Sequence, residues 1–205
     1  DVVIPPVLPT IPADTSKMGD ILWSKTIGGT SADSVNAITI IGESLYFCGK
    51  TRNTYSVNGI NVDANTTNDE FFTAKCSSSD CTLEWMKLAG KTENRSFCAN
   101  IGTDSSGNIY SVGTYYTDIN FGSGNLGNNG DRDLVLVKYS PIGTLLWVNS
   151  FGGTAGEEIS GLVITNGDDI FTSGFFRNTV DFGGGNITST GDSDAFLASF
   201  NTAGT

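Results

Sequence analysis

The chain is patterned as short apolar runs separated by polar, glycine-rich segments. In its middle third the apolar runs predict four strands, near Phe97 to Thr103, Ile109 to Thr114, Leu134 to Tyr139 and Leu145 to Phe151. β-Branched and aromatic residues fill these runs, and Gly, Asn, Asp and Ser bound them, which is typical of strands joined by turns. No stretch keeps helical spacing for three turns. The pattern therefore predicts an all-β protein.

The same pattern occurs three times along the sequence. Trp23, Trp85 and Trp147 lie 62 residues apart in the similar phrases DILWSKTIGGT, TLEWMKLAGKT and TLLWVNSFGGT. About 25 residues after each tryptophan an apolar run ends at a glycine, and an acidic turn then precedes the next run. The recurring residues are Gly49, Gly113 and Gly174, followed by Asn68 with Glu70, Asp131 with Asp133, and Asp192 with Asp194. The period predicts repeats at about 19–80, 81–142 and 143–205.

A unit of about 40 to 60 residues with four strands is typical of a β-propeller blade, whose faces are buried only when other blades stack on them. We therefore predict a propeller repeat domain over residues 19–205, with three four-stranded antiparallel repeats of about 62 residues. Propellers close with roughly four to eight blades, so three blades make a partial or oligomer-completed propeller. We expect further repeats or another subunit to fill the open faces, with a homo-oligomeric ring or filament favoured.

Three phrases resemble a known family: W-x-x-x-x-GG, D-x-x-GN-I-Y-x-x-G, and G-D-x-D followed by a strand. They are similar to the bacterial seven-bladed β-propeller repeat abbreviated SBBP. The resemblance covers about residues 20–205 and is strongest at 104–110 in the second copy and at 181–183 and 192–194 in the third. The first copy departs from it at 42–44 and 68–70. The resemblance implies a propeller fold and an extracytoplasmic setting, and it implies no enzymatic activity.

The charge and composition of the chain limit the classes of molecule that it is expected to bind. The chain has 22 acidic and 11 basic residues, a net charge of −11, and scattered Lys and Arg, so nucleic acid and anionic membranes are disfavoured. No run approaches the roughly 18 apolar residues of a membrane span. Residues 1–18 hold four of the five prolines and are predicted to form an extended leader or linker.

The four cysteines favour disulfides over zinc, because they lack CxxC spacing and the chain has no histidine. Disulfides indicate a setting outside the cytoplasm. Cys76 and Cys81 flank a four-residue turn, and we predict a disulfide between them across the hairpin. Cys48 and Cys98 lie in successive copies and could pair or remain buried thiols, with pairing favoured.

The recurring residues favour structural roles over ligand binding. The tryptophans have apolar neighbours, so core or inter-blade packing is favoured over carbohydrate stacking. The acidic turns could bind Ca²⁺, but each supplies only two or three of the roughly six to eight oxygens that calcium takes, and Asp also caps turns. We therefore predict no metal and no other cofactor, with calcium at the turns as the alternative.

The absence of histidine removes the commonest general base and the usual Ser-His-Asp and Cys-His nucleophiles. We predict a non-enzymatic, secreted or cell-surface propeller module that binds protein or self-assembles into a surface structure, with a surface glycan as another possible ligand. The alternative is part of a secreted glycan-acting hydrolase or a carbohydrate-binding propeller.

Overall fold

The computed structural model describes residues 21–52, 55–57, 60–62, 68–90 and 95–204. The predicted leader at residues 1–18 lies outside this part of the chain. The described residues form strands and no helix, and so hold no helix able to cross a membrane. The strands are β1 (Ser34–Ile41), β2 (Ser44–Thr51), β3 (Tyr55–Val57), β4 (Ile60–Val62), β5 (Glu70–Ser77), β6 (Leu83–Ala89), β7 (Ser96–Thr103), β8 (Ile109–Tyr115), β9 (Ile119–Asn120), β10 (Asn125–Leu126), β11 (Asp133–Tyr139), β12 (Leu145–Phe151), β13 (Glu158–Ile164), β14 (Ile170–Phe176), β15 (Thr179–Asp181), β16 (Asn186–Thr188) and β17 (Asp194–Phe200).

Three larger antiparallel sheets follow one another along the chain. The first sheet has the order β1-β2-β5-β6 and the second has the order β7-β8-β11-β12. The third sheet has the order β13-β14-β17 within the described residues. The two-stranded ladders β3–β4, β9–β10 and β15–β16 each precede the third strand of a sheet. The prediction of an all-β fold is confirmed, and two of the three predicted antiparallel sheets have their four strands, while the third has three within the described residues.

The sheets stack face to face through two apolar cores. Alternate residues of a strand point to opposite faces, so the middle sheet contributes to both cores. Between the first and second sheets the buried side chains include Tyr46, Cys48, Phe71, Ile109 and Val135. Between the second and third sheets they include Tyr110, Val112, Leu136, Ile170 and Phe196.

The segment before the first sheet differs from its prediction. Residues 21–27 carry the first tryptophan phrase, and the same phrase around Trp147 was predicted to form a strand, so a strand was expected here too. Residues 21–27 form no strand in the structure. Trp23 and Ile27 instead pack against the apolar face of the first sheet around Phe47 and Phe72. In the two later copies the tryptophan strand pairs with the third strand of its own sheet, and no such partner for residues 21–27 lies in the described part of the chain.

A disulfide joins Cys48 in β2 to Cys98 in β7, the pairing favoured from the sequence. The two Cα atoms are 5.6 Å apart, and the bond connects the first sheet to the second across 50 residues of sequence. The side-chain amide of Asn36 reinforces the junction by donating to the Cys98 carbonyl at 2.7 Å. The first and second sheets are therefore held covalently.

The predicted disulfide between Cys76 and Cys81 is wrong. Both side chains are thiols in the structure, and a hydrogen bond joins them. The register shifts after Lys75, so Cys76 lies opposite Leu83 in the ladder, and Cys81 lies in the turn with φ 55°. Burial raises the pKa of the Cys76 thiol, which keeps it protonated.

Candidate functional site

Each tryptophan side chain forms a hydrogen bond with the turn that follows the third strand of the next sheet along the chain. Each indole N–H donates to a carbonyl oxygen at 3.1 to 3.2 Å, with the pairs Trp23 to Ser78, Trp85 to Pro141 and Trp147 to Thr202. A Cβ on Gly143 would lie 2.8 Å from the Trp85 ring, and one on Gly204 would lie 2.9 Å from the Trp147 ring. Each of these two rings therefore lies directly on the turn of the neighbouring sheet.

The first sheet exposes an apolar surface that we call the leading face, defined by Ile38 and Ile40. The first strand of each sheet, β1 or β13, has one shift in its pairing with the second strand. When β1 and β13 are aligned at this shift, Ile38 and Ile40 correspond to Leu162 and Ile164 in the third sheet. There the two side chains pack on the second sheet, since a Cβ on Gly102 would lie 3.0 Å from Ile164 and 3.6 Å from Leu162. On the leading face, Ile38 and Ile40 are 66% and 60% exposed.

The third sheet exposes an apolar surface at the other end of the stack of sheets. We call it the trailing face, defined by Val163, Phe171 and Leu197. These side chains are 60%, 44% and 89% exposed. The strand registers place Phe171 and Leu197 at the positions of Tyr110 and Leu136 in the second sheet, which are buried against the third sheet. A leading and a trailing face therefore already pack together where the second and third sheets meet.

Two carboxyl groups are buried at that same junction. The side chains of Asp133 and Glu157 accept backbone N–H groups from Asn129 at 2.9 Å and from Gly153 at 3.2 Å. Burial raises the pKa of Asp133 to about 6. Burial also raises the pKa of Glu157 to about 7, and the nearby Asp133 charge adds to the rise while Arg132 opposes it. Both carboxyls are closed off from solvent.

This pair predicts a stability that falls as the pH rises. A carboxyl whose pKa is higher in the folded state holds its proton there while the unfolded chain has lost it, so unfolding becomes easier between about pH 4 and pH 7. One pKa unit corresponds to about 1.4 kcal/mol. With folded-state pKa values of about 6 and 7, the two carboxyls together should make the free energy of unfolding about 4 kcal/mol lower at pH 8 than at pH 5. Urea unfolding at the two pH values measures the difference, and the chain has no histidine to titrate in this window.

The Glu157→Gln variant tests whether the buried carboxyl pair, and not another charged group, causes the pH dependence of stability. It keeps an acceptor for Gly153, removes the titration, and should raise stability at pH 8 while flattening the pH dependence. Glu43→Gln is the matched control, because Glu43 is exposed in the β1–β2 turn. If both variants keep the wild-type slope between pH 5 and pH 8, the buried pair is not its source.

The acidic turns lie where the third strand of a sheet begins. Asp133 and Asp194 each accept a backbone N–H from four residues earlier, Asp194 from Thr190 at 2.9 Å. Asp192 is largely exposed and lies 3.7 Å from Arg177. The Asp131 carboxylate lies beside Gly156. Among the residues described, no three Asp, Glu or Cys side chains are grouped to hold a metal ion.

Several glycines lie where a side chain would collide with a neighbouring strand or carboxylate. The steric roles of two of them, Gly90 and Gly152, were not predicted from the sequence. A Cβ on Gly49, Gly113 or Gly174 would overlap the carbonyl oxygen of a residue in the adjacent first strand, respectively Ser34, Phe97 and Glu158. Gly90 and Gly152 follow the tryptophan strands, and a Cβ there would meet the carboxylates of Glu70 and Asp133. The sequence did contain a signal for this contact, because a glycine after the tryptophan phrase and an acidic residue at the start of the third strand both recur from copy to copy.

The comparisons with known proteins agree with this architecture. Residues 84–122 match the family model described as SBBP, a beta-propeller repeat, and this stretch runs from the tryptophan strand β6 through β7 and β8 to β9. No curated protein matches the chain. The chain thus carries an SBBP beta-propeller repeat within a series of stacked antiparallel sheets.

Proposed function

We propose that this chain is a non-enzymatic propeller module that works outside the cytoplasm, binds protein, and assembles with copies of itself. The observation that carries the proposal is the pair of exposed faces, leading and trailing, whose counterparts inside the chain are buried against each other. A second copy can therefore add head to tail, with its leading face on the trailing face of the first. Repetition of this contact gives a ring if the rotation closes and a filament if it does not.

The apolar content of the two faces is large enough to drive association. Full burial of one Ile, Leu or Phe side chain contributes about 1.5 to 3 kcal/mol. The five side chains of the two faces are 44% to 89% exposed. Monomeric soluble proteins rarely expose large contiguous apolar patches. A partner sheet on each face is therefore the arrangement that the exposed side chains favour.

Two further observations support the other parts of the proposal. The Cys48–Cys98 disulfide supports a setting outside the cytoplasm, because reducing compartments keep most thiols reduced. The burial of Asp133 and Glu157 supports a non-enzymatic role, because raised carboxyl pKa values otherwise suggest acid or base catalysis in an open cleft.

The test uses one charged substitution on each face. The wild-type chain should form species larger than 21.6 kDa in a concentration-dependent manner in light scattering. Ile38→Asp and Leu197→Asp should each be monomeric alone, since each loses one face of the contact. Mixed together, they should form a dimer and nothing larger, because the intact trailing face of one meets the intact leading face of the other.

Ile142→Asp is the matched control, since Ile142 is 79% exposed in the β11–β12 turn and belongs to neither face. It should assemble as the wild type does. A wild-type chain that stays monomeric at every concentration would contradict the proposal, and so would assembly that neither face variant changes.

A further inference from the structure

A cleft of about 230 Å³ lies where the first and second sheets meet. It is lined by the cationic side chains Lys50, Arg52 and Arg95 and by the aromatic rings of Phe97 and Tyr116. The strand ends explain why these residues converge. Lys50 and Arg52 lie at the end of β2, Arg95 and Phe97 lie at the start of β7, and Tyr116 follows β8, which pairs with β7.

The cleft is positive although the chain has a net charge of −11. Asp69 is the carboxylate of the lining, and it accepts hydrogen bonds from Arg52 at 2.6 Å and from Lys50 at 2.9 Å. Burial opposes ionisation of Asp69, yet these hydrogen bonds hold its pKa below the ordinary value. Arg95 is exposed and forms no ion pair within the described residues. The described residues that line the cleft thus include three cations and one carboxylate, an excess of two positive charges.

The cations also keep hydrogen-bond donors for a ligand. Arg52 uses two of its N–H groups on Asp69 and Lys50 uses one, whereas arginine has five such donors and lysine three. The carboxylate of Asp33 lies beside Arg52, but it accepts the backbone N–H groups of Arg52 and Gly29 at 2.9 Å each. Asp33 therefore accepts from the backbone of Arg52, and the guanidinium N–H groups that do not donate to Asp69 can donate to a ligand.

The walls of the cleft are fixed before any ligand arrives. The backbone N–H of Ser96 donates to the carbonyl of Asp69 at 3.0 Å, and that of Tyr116 donates to the carbonyl of Arg95 at 2.9 Å. The guanidinium of Arg132 donates to the Tyr116 hydroxyl at 3.3 Å. The Cys48–Cys98 disulfide ties β2 to β7 close to the cleft. A preorganised site loses less entropy on binding.

We propose that this cleft binds an acidic segment of a partner protein that also carries an aromatic or large apolar side chain. A carboxylate of the segment lies between Arg95 and the Lys50–Arg52 pair, and the apolar side chain packs on Phe97 and Tyr116. Charge-assisted hydrogen bonds from guanidinium to carboxylate supply the specificity. The net charge of −11 over the whole chain disfavours long polyanions such as nucleic acid, so a short acidic peptide fits best. The site is separate from the leading and trailing faces.

The probe is a short synthetic peptide of glutamates around one phenylalanine, blocked at both ends. It is titrated into the full chain carrying Ile38→Asp, which removes the self-assembly contact, and binding is followed by NMR. Resonances of Arg95, Phe97 and Tyr116 should shift together. Arg95→Gln should weaken binding by about tenfold, the factor for one charge-assisted hydrogen bond, and Arg95→Lys should weaken it less. Lys25→Gln changes the net charge equally outside the cleft and should bind as the wild type does.

Three outcomes would overturn the proposal. Equal weakening by Arg95→Gln and Lys25→Gln would show binding to the overall charge. Shifts confined to residues outside the cleft would place the peptide elsewhere. Tighter binding of a sulfated oligosaccharide that displaces the peptide would assign the cleft to an anionic glycan. Because Ile38→Asp and Leu197→Asp leave the cleft intact, peptide binding by these variants separates this proposal from self-assembly.

Discussion

Replacing Cys48 and Cys98 together by alanine is expected to lower the free energy of unfolding by about 4 kcal/mol. The disulfide closes a loop of 50 residues, and in the chain-entropy description a crosslink of that span removes about this much freedom from the unfolded chain. The bond also joins the first sheet to the second, so its loss removes a covalent link across that junction. Urea unfolding of the wild type and the double variant measures the difference.

Reductant provides the control for this prediction. A thiol-free phosphine should bring the wild type down to the stability of the double variant, and it should leave the double variant unchanged. The Cys76 and Cys81 thiols are present in both proteins, so they cancel in the comparison. A double variant with wild-type stability in the absence of reductant would show that the disulfide does not stabilise the protein by restricting the unfolded chain.

The strands could be predicted well from the sequence because their signal is local. In the second sheet the predicted segments agree with β7, β8, β11 and β12 to within one residue at each end. Alternating apolar residues and turn residues determine these segments, and both are visible in a short window. Residues 21–27 carry the same local signal but form no strand, since a strand also needs a paired neighbour.

Apart from the Cys48–Cys98 disulfide, the hydrogen bonds and the cleft between sheets could not be predicted, because they join residues far apart in sequence. The hydrogen bonds from the tryptophans to the turns after the third strands span 55 or 56 residues. The cationic cleft combines the end of β2 with the start of β7, and neither segment alone is unusually basic. The sequence was consequently interpreted as having scattered Lys and Arg, although the fold gathers three of these residues at one edge.

The cysteine pairing shows how a local rule can fail. Cys76 and Cys81 flank a hairpin, which favoured a bond between them, but Cys81 occupies the left-handed turn position that Gly143 and Gly204 hold in the other sheets. All three residues donate their backbone N–H to a carbonyl oxygen within the turn. The acceptor lies four residues before Cys81 but three residues before each glycine. The longer turn of the first sheet therefore places Cys81 outside the strand ladder.

Asp104→Ala is expected to lower the free energy of unfolding by about 3 to 5 kcal/mol. The Asp104 carboxylate is buried in the turn before β8 and accepts five hydrogen bonds, from the backbone N–H of Ser106, the backbone N–H and side-chain amide of Asn108, the Tyr110 hydroxyl and the Lys138 ammonium. Removing it leaves the buried Lys138 ammonium without its carboxylate, and breaking a buried pair from one side costs about this much. Urea unfolding at pH 7 measures the loss.

The pH dependence of the Asp104 contribution gives an independent check. Burial opposes ionisation, but the hydrogen bonds from Asn108, Lys138 and Tyr110 hold the pKa of Asp104 below its ordinary value. Its stabilisation is therefore full above about pH 4 and is lost as the pH falls through the lowered pKa, so the gap between wild type and variant should narrow near pH 2. Asp192→Ala, at a largely exposed aspartate, should change stability by less than about 0.5 kcal/mol. A loss below about 1 kcal/mol for Asp104→Ala at pH 7 would show that the other four donors and Lys138 find new partners.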